Sequence, residues 1–261
     1  LCVASLTSLR AQTLPLSHGE RVDYDLYFKW GLIMSKAGLA TLSVKESEYQ
    51  GAPSWHYNLL FRSAGVIEKV FRMRDTMDCH YSKEPRLLFS SKRTNEGDYY
   101  LVDNLQFEYQ GSGRSDIHSH RHTLKETKID TMLMAKGRVF DMLGATMYLR
   151  SLDWRTMSYG AEFPFMIAIG RELVNARFRY TGQQIVEHKE AKFRTRHFYI
   201  DIYDEAFTQA KEAAEVWIGD DENHIPVKIR AKLKIGAAEV YYKDSYNLRA
   251  PLTCRIVVQK K

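Results

Sequence analysis

The sequence has few cysteines and no long apolar segment. It contains only three cysteines in 261 residues, Cys2, Cys79 and Cys254. None has the CxxC spacing of a metal or redox site, so a disulfide scaffold and a zinc ribbon are excluded. Beyond the first residues, no apolar run reaches the ~18 residues that a membrane-spanning helix needs. Pairing of Cys79 with Cys254 is left open, and two buried free thiols are the more common outcome.

The sequence also lacks the motifs of common catalytic classes. It holds no GxSxG elbow of a serine hydrolase and no glycine-rich loop that would cradle a phosphate. Its net charge of +6 is spread along the chain without a basic block, a pattern that argues against nucleic-acid binding. No cofactor is predicted.

The first eleven residues, LCVASLTSLRA, resemble the end of a signal peptide. They are apolar and small up to Leu9, and Ala11 offers a cleavage position. We therefore expect residues 1–11 to be a signal-peptide remnant and the protein to be exported to the periplasm or cell envelope. The alternative is an unstructured arm of a cloned fragment. Lipoprotein anchoring through Cys2 is less favoured, because no full lipobox precedes it.

Alternating apolar and polar residues dominate the rest of the chain, which is rich in aromatic residues, with 16 Tyr and 12 Phe. This period of two is typical of half-buried antiparallel strands. One face of the first such segment carries Val22, Tyr24, Leu26, Phe28 and Trp30. A later segment places a basic row on its outer face: Lys228, Arg230, Lys232 and Lys234. The pattern predicts a mainly β protein with one domain over residues 19–258, built as a curved antiparallel sheet or open barrel.

Helical patterns are few. Residues 65–71 form a short candidate, and residues 141–154 form a better one, with Asp141 placed to cap the first turn and Tyr148 on its apolar face. We expect the sheet to wrap partly round this helix. Arg150 at its end is predicted to pair with a carboxylate on the sheet. The least regular segment is residues 110–130.

Two groups of polar residues are candidates for chemistry. His118, His120 and His122 lie at strand spacing, so the rings project to one face, where imidazoles can share a zinc ion. The alternative is a solvated hairpin. Asp220 and Asp221 suggest an acid pair, but neighbouring carboxylates followed by Asn223 are more typical of a turn.

Three stretches in this order carry a family resemblance: GERVDYDLYFKWGLIMSKAGLATLSV from Gly19, DMLGATMYLRSLDW from Asp141, and EVWIGDDENHIPVKIRAKLKIG from Glu215. Together they resemble domain-of-unknown-function family 3108, exported proteins of Gram-negative bacteria including the Bacteroides group. The resemblance implies a YmcC-like curved sheet round a helix, distantly similar to the lipoprotein-localisation proteins of the LolA/LolB class. It implies no established activity and no catalytic residues.

These patterns favour a non-catalytic binding or carrier module for a lipid or other hydrophobic envelope ligand. The predicted lining residues are Tyr24, Phe28, Trp30, Tyr148 and Trp217, with an ordinary packed core as the alternative. The basic row would then face water or anionic lipid headgroups. Two other hypotheses remain: an assembly accessory for envelope polysaccharide or the outer membrane, and a metal-dependent envelope enzyme using the histidine run. The oligomeric state is not predicted.

Overall fold

The computed structural model describes residues 14–70, 72–84, 86–203, 210–233 and 236–257. Within these ranges the side chains of Trp30, Val66, Val70, Ala210 and Lys211 are not described. The predicted leader, Cys2 and Lys234 lie outside the described residues.

The described residues form mainly β-strands, together with two short helices. The strands are β1 (Arg21–Trp30), β2 (Ile33–Tyr49), β3 (Ala52–Ser63), β4 (Arg74–Ser82), β5 (Leu87–Glu96), β6 (Tyr99–Tyr109), β7 (Arg114–His122), β8 (Thr127–Lys136), β9 (Val139–Phe140), β10 (Glu162–Ile169), β11 (Glu172–His188), β12 (Ala191–Tyr203), β13 (Ala210–Gly219), β14 (Pro226–Lys232), β15 (Ala237–Tyr246) and β16 (Arg255–Ile256). The helices are α1 (Gly65–Val70) and α2 (Met142–Arg150).

The strands form one sheet that curls into a nearly closed barrel, which confirms the predicted fold class. Its order is β8-β7-β6-β5-β4-β3-β2-β1-β15-β14-β13-β12-β11-β10-β9, with β16 added beside β12. Two antiparallel meanders are thus joined through the β1–β15 pair. The free edges approach each other where Ser119 donates a hydrogen bond to the carbonyl of Gly170 at 2.6 Å.

Successive antiparallel strands place their turns at alternate ends of the barrel. We call the end with the turns at 110–113, 137–138 and 220–225 the helix end, because α2 enters the interior there. The opposite end, with the turns at 31–32, 97–98 and 123–126 and the β14–β15 connection, is the hairpin end. Neither helix of the described part has the length and apolarity to cross a membrane.

The predicted helix within residues 141–154 is confirmed, and α2 ends at Arg150 as expected. Asp141 caps it by accepting a hydrogen bond from the Gly144 backbone N–H at 2.6 Å. Seven of its nine residues are buried, because the sheet surrounds it. Gly144 is required there, since an added Cβ would lie 2.6 Å from the Tyr81 hydroxyl oxygen. α2 therefore occupies the barrel interior, and its turn at Gly144 contacts β4 directly.

Residues 110–130 were expected to be the least regular segment, but most of them form β7 and the start of β8. Their polar composition reflects an outward strand face, while Ser115, Ile117 and Ser119 are buried on the inward face. The alternation of apolar and polar residues also did not predict β10, which contains Pro164. This strand lies near the sheet edge, where β9 pairs only with Met166 and Ile167, and proline is tolerated at edges.

A second, smaller apolar cluster lies outside the barrel wall under the C-terminal segment. It contains Val186, Phe193, Trp217, Val227 and Cys254. Trp217 was expected to face the interior, but Val216 and Ile218 occupy that face and Trp217 points the other way. Cys79 lies in the main core and Cys254 in the outer cluster, so the two do not pair. Both are free and buried.

Candidate functional site

A cavity of about 220 Å³ lies between α2 and the barrel wall at the helix end. Its apolar lining includes Val139, Phe140, Met147 and Tyr148. Phe140 stacks on Tyr148 with ring centroids 5.1 Å apart, and this pair closes one side of the space. Tyr148 also packs on Phe178 of the main core, so the cavity lies beside that core.

Two arginines stand at the cavity mouth. Arg138 lies with its guanidinium 5.2 Å from the centre of the Tyr148 ring, and Arg86 lies 5.6 Å from the Tyr109 ring. Arg138 and Gly137 are exposed, so the cavity meets solvent beside them. Burial raises the pKa of Tyr148, and the nearby Arg138 partly offsets this effect. The mouth therefore offers positive charge next to an apolar space.

The structure distributes the predicted lining residues over different places. Tyr148 lines the cavity. Tyr24 is buried in the main core, at 4% exposure. Phe28 is half-buried near the hairpin end, and Trp217 belongs to the outer cluster. The side chain of Trp30 lies outside the described part. Arg86 and Arg138 were missed, because they occupy separate turns and nothing in their local sequence marks them as neighbours.

A larger cleft of about 610 Å³ lies beside the cavity at the same end. Its floor is Arg150, whose side chain is fully buried. Arg150 donates to both carboxylate oxygens of Glu20, at 2.7 and 3.1 Å, and to the carbonyls of Pro15 and Asn223. Burial would lower the pKa of Arg150, but the Glu20 carboxylate raises it. Arg150 therefore pairs with a carboxylate as predicted, although Glu20 lies just before β1 rather than within the sheet.

The cleft also contains Asp220 and Asp221, which form the predicted turn. Asp220 accepts a hydrogen bond from Arg196 at 2.8 Å, and Asp221 accepts from the backbone N–H groups of Asn223 and Cys254. Each carboxylate is therefore occupied in holding the β13–β14 turn. Arg150 joins the three sequence stretches quoted above, through its hydrogen bonds to Glu20 and to the Asn223 carbonyl.

His224 is a cleft residue that no sequence motif marks. Its φ of 47° lies in the left-handed region, and its ring stacks on Trp154 with centroids 4.0 Å apart. Its Nδ1 donates to the Arg150 carbonyl at 2.8 Å, and burial lowers its pKa. A neutral imidazole held in one orientation thus packs over the Arg150 segment and supports that structure.

Residues 23–243 match the family described as a protein of unknown function, DUF3108. The chain belongs to the DUF3108 family. Among solved structures it is similar to the beta-barrel-like protein of domain of unknown function DUF1849 from Brucella abortus. The TM-score is 0.56 and the identity 9%, over 89% of this chain and 99% of that chain. This likeness shows the fold alone. No curated protein matches the chain.

In this DUF3108 chain the histidine run lies on the outer face of β7. The rings of His118 and His120 are 6.3 Å apart and those of His120 and His122 are 5.0 Å apart, each pair roughly parallel. His118 bonds Asp130 at 2.6 Å. The rings stand side by side along the strand, and no group of three or more metal-binding side chains in the described ranges is arranged to hold a metal ion.

The basic row of β14 in this DUF3108 chain makes contacts within the protein. Lys228 lies 4.4 Å from the centre of the Trp217 ring, and burial lowers its pKa. Arg230 pairs with Glu215 at 3.4 Å and with Glu239 at 3.5 Å. Lys232 is the most exposed described member of the row. Lys228 and Arg230 are thus half-buried and have partners within the protein, whereas Lys232 is exposed.

Proposed function

We propose that the protein is a non-catalytic binding module that takes an amphipathic anion, with the apolar part in the cavity beside α2 and the head group at Arg138. The observation that carries this proposal is an apolar space with a cationic mouth. Among the described residues, no ion pair joins Arg138 to a carboxylate, whereas Arg86 lies 3.7 Å from Glu84. Arg138 is therefore the arginine available to an incoming carboxylate or phosphate.

The cavity volume limits the ligand. Ligand sites for drug-sized molecules usually measure ~300–1,000 Å³, whereas an apolar cavity of ~150 Å³ holds benzene. A space of about 220 Å³ therefore suits a short acyl chain or the end of a longer one. A long acyl chain is too large for this cavity alone. The proposed ligand class is thus a fatty acid or an acylated anion that enters by one end.

A titration with dodecanoate, followed by displacement of a fluorescent fatty acid, tests the proposal. We expect saturable binding to the wild-type protein and at least tenfold weaker binding to Arg138→Gln, because a charge-assisted hydrogen bond is worth about 1.5–3 kcal/mol. The matched control is Arg249→Gln, an exposed arginine at the same end that lines the cleft instead. Equal losses in the two variants, or no binding to the wild-type protein, would overturn the proposal.

We also propose that the protein works outside the cytoplasm, as the leader-like composition of residues 1–11 suggests. Fractionation of cells that express the full gene tests this location directly. Recovery of the protein in the cytoplasmic fraction with residues 1–11 still attached would contradict it.

A further inference from the structure

The β1–β2 hairpin ends in an apolar tip that stands clear of the barrel. Residues 31–36 are all exposed, whereas Gly38 and Ala40 further along β2 are buried. Leu32 is 104% exposed, Ile33 is 63% exposed and Met34 is 40% exposed. A run of large apolar side chains in water at one protruding turn marks a contact surface rather than random surface composition.

The neighbouring β14–β15 turn extends this tip. Lys29 pairs with Ala237 across the β1–β15 ladder. Gly236 has a φ of 74°, and a Cβ added there would collide with the Lys29 carbonyl oxygen, so the two turns lie backbone against backbone. Leu233 in the second turn is 47% exposed. The four apolar side chains therefore share one convex surface at the hairpin end, which we call the hairpin tip: Leu32, Ile33, Met34 and Leu233.

Lysines surround the hairpin tip, and the acids that pair with two of them are buried. Lys36 lies 2.6 Å from Asp25, and Lys29 lies 3.9 Å from Glu239. The side chains of both carboxylates are only 3% exposed, whereas those of the two lysines are 45% and 41% exposed. Lys232 adds a third exposed ammonium group, 54% exposed, which lies 3.8 Å from the half-exposed carboxylate of Glu212. Solvent beside the tip therefore meets the ammonium groups of Lys29 and Lys36, with their acids buried behind them.

We propose that the hairpin tip docks the protein on an anionic lipid bilayer. A stable protein partner usually buries ~800 Å² on each side of a complementary surface, and a convex tip of four side chains offers much less. A bilayer requires no complementary shape. It accepts apolar side chains below the headgroups and attracts adjacent lysines to anionic lipids. The tip and its lysine rim have these two properties.

The docking surface is independent of the ligand cavity, because the two lie at opposite ends of the barrel. Flotation of the purified protein with vesicles tests it. We expect the protein to float with vesicles of phosphatidylcholine and phosphatidylglycerol and to float weakly with vesicles of phosphatidylcholine alone. Added salt should release the protein from the anionic vesicles, because it screens the attraction between lysines and lipid headgroups. The double variant Leu32→Ser with Ile33→Ser should partition at least about tenfold more weakly, because both side chains lose their apolar contact.

Leu124→Ser is the matched control. Leu124 is 83% exposed at the same end of the barrel, but it lies in the β7–β8 turn, far from the tip along the sheet. This variant should float like the wild-type protein, and the double variant should keep wild-type affinity for dodecanoate. The proposal is overturned if the wild-type protein does not float with anionic vesicles, if Leu124→Ser loses as much binding, or if the tip instead mediates self-association that the double variant abolishes.

Discussion

Removal of either partner of the Arg150–Glu20 ion pair is expected to destabilise the protein strongly. The two side chains are 0% and 1% exposed, so water cannot replace a lost partner. Glu20→Gln leaves the guanidinium buried without its counter-charge. Arg150→Met leaves the carboxylate unpaired and also frees the carbonyls of Pro15 and Asn223. Both variants thus create uncompensated buried polar groups next to α2.

The size of the effect follows from this geometry. Breaking a buried ion pair by removing one partner costs about 3–5 kcal/mol, a large share of the ~5–15 kcal/mol that stabilises a typical domain. For a chain of this size, each single variant should therefore lower Tm by roughly 6–20 °C. The double variant, Glu20→Gln with Arg150→Met, removes both charges and leaves only neutral groups, the two freed carbonyls and the new amide at position 20, at about 1–3 kcal/mol each. It should cost at least about 2 kcal/mol less than the sum of the single variants.

Urea unfolding followed by tryptophan fluorescence measures all three free energies. The control is Asp153→Asn, which removes an exposed pair with Arg155 at 3.5 Å, with 52% and 76% exposure, and should change stability by less than about 1 kcal/mol. The conclusion that this ion pair holds α2 to the barrel end would be refuted by either of two results. One is a loss of unfolding free energy below about 1 kcal/mol in each single variant, and the other is a loss in the double variant equal to the sum of the two single losses.

Three further changes follow from the packing. Gly144→Ala should cost about 1–3 kcal/mol by overpacking, whereas Gly111→Ala, with no atom within 4 Å, should be nearly neutral in the same urea assay. Two arginines and a backbone N–H outweigh the effect of burial and hold the pKa of Asp201 at about 2, below its usual 3.8. Asp201→Asn should therefore lose about 1–2 kcal/mol at pH 7, and the difference from wild type should shrink as pH falls from about 4 to 2. Burial raises the pKa of the thiols of Cys79 and Cys254, so peptide mapping should find both unlabelled by a thiol reagent until the protein is unfolded.

The strand pattern and the helix could be predicted because their local sequence is consistent with their burial. In β14, Ile229 faces the core while Lys228 lies on the outer side, as the alternation indicates. Asp141 marks the start of α2 as a capping residue should. Each of these assignments needs only neighbours in sequence, so a single chain contains enough information.

The direction of Trp217 could not be predicted because both faces of β13 are covered. Residues 216–219 are all buried, so the alternation that distinguishes inside from outside is missing there. The same difficulty applies to Leu233, which continues the inward alternation of β14 but lies exposed in the following turn. Burial by the C-terminal segment and the position at which a strand ends both depend on tertiary structure, so the local sequence does not reveal them.

The cavity could not be predicted from the sequence for a related reason. Its walls come from α2, from β4, β6 and β9, and from the segments between them, so its volume depends on how distant segments pack. Arg138 could have been noticed only as a charged residue just before the cap of a buried helix. The hairpin tip had a local signal, the apolar run from Leu32 to Met34, but its exposure depends on how far the hairpin extends past the barrel.

Calorimetric titration with straight-chain fatty acids of increasing length tests the central claim most directly, because the cavity has a fixed size. Affinity should rise by about fourfold for each added methylene, from ~0.8 kcal/mol per buried CH₂, until the space of about 220 Å³ is filled, and then level off. Binding that is absent at every length, or that does not change with chain length, would contradict the account.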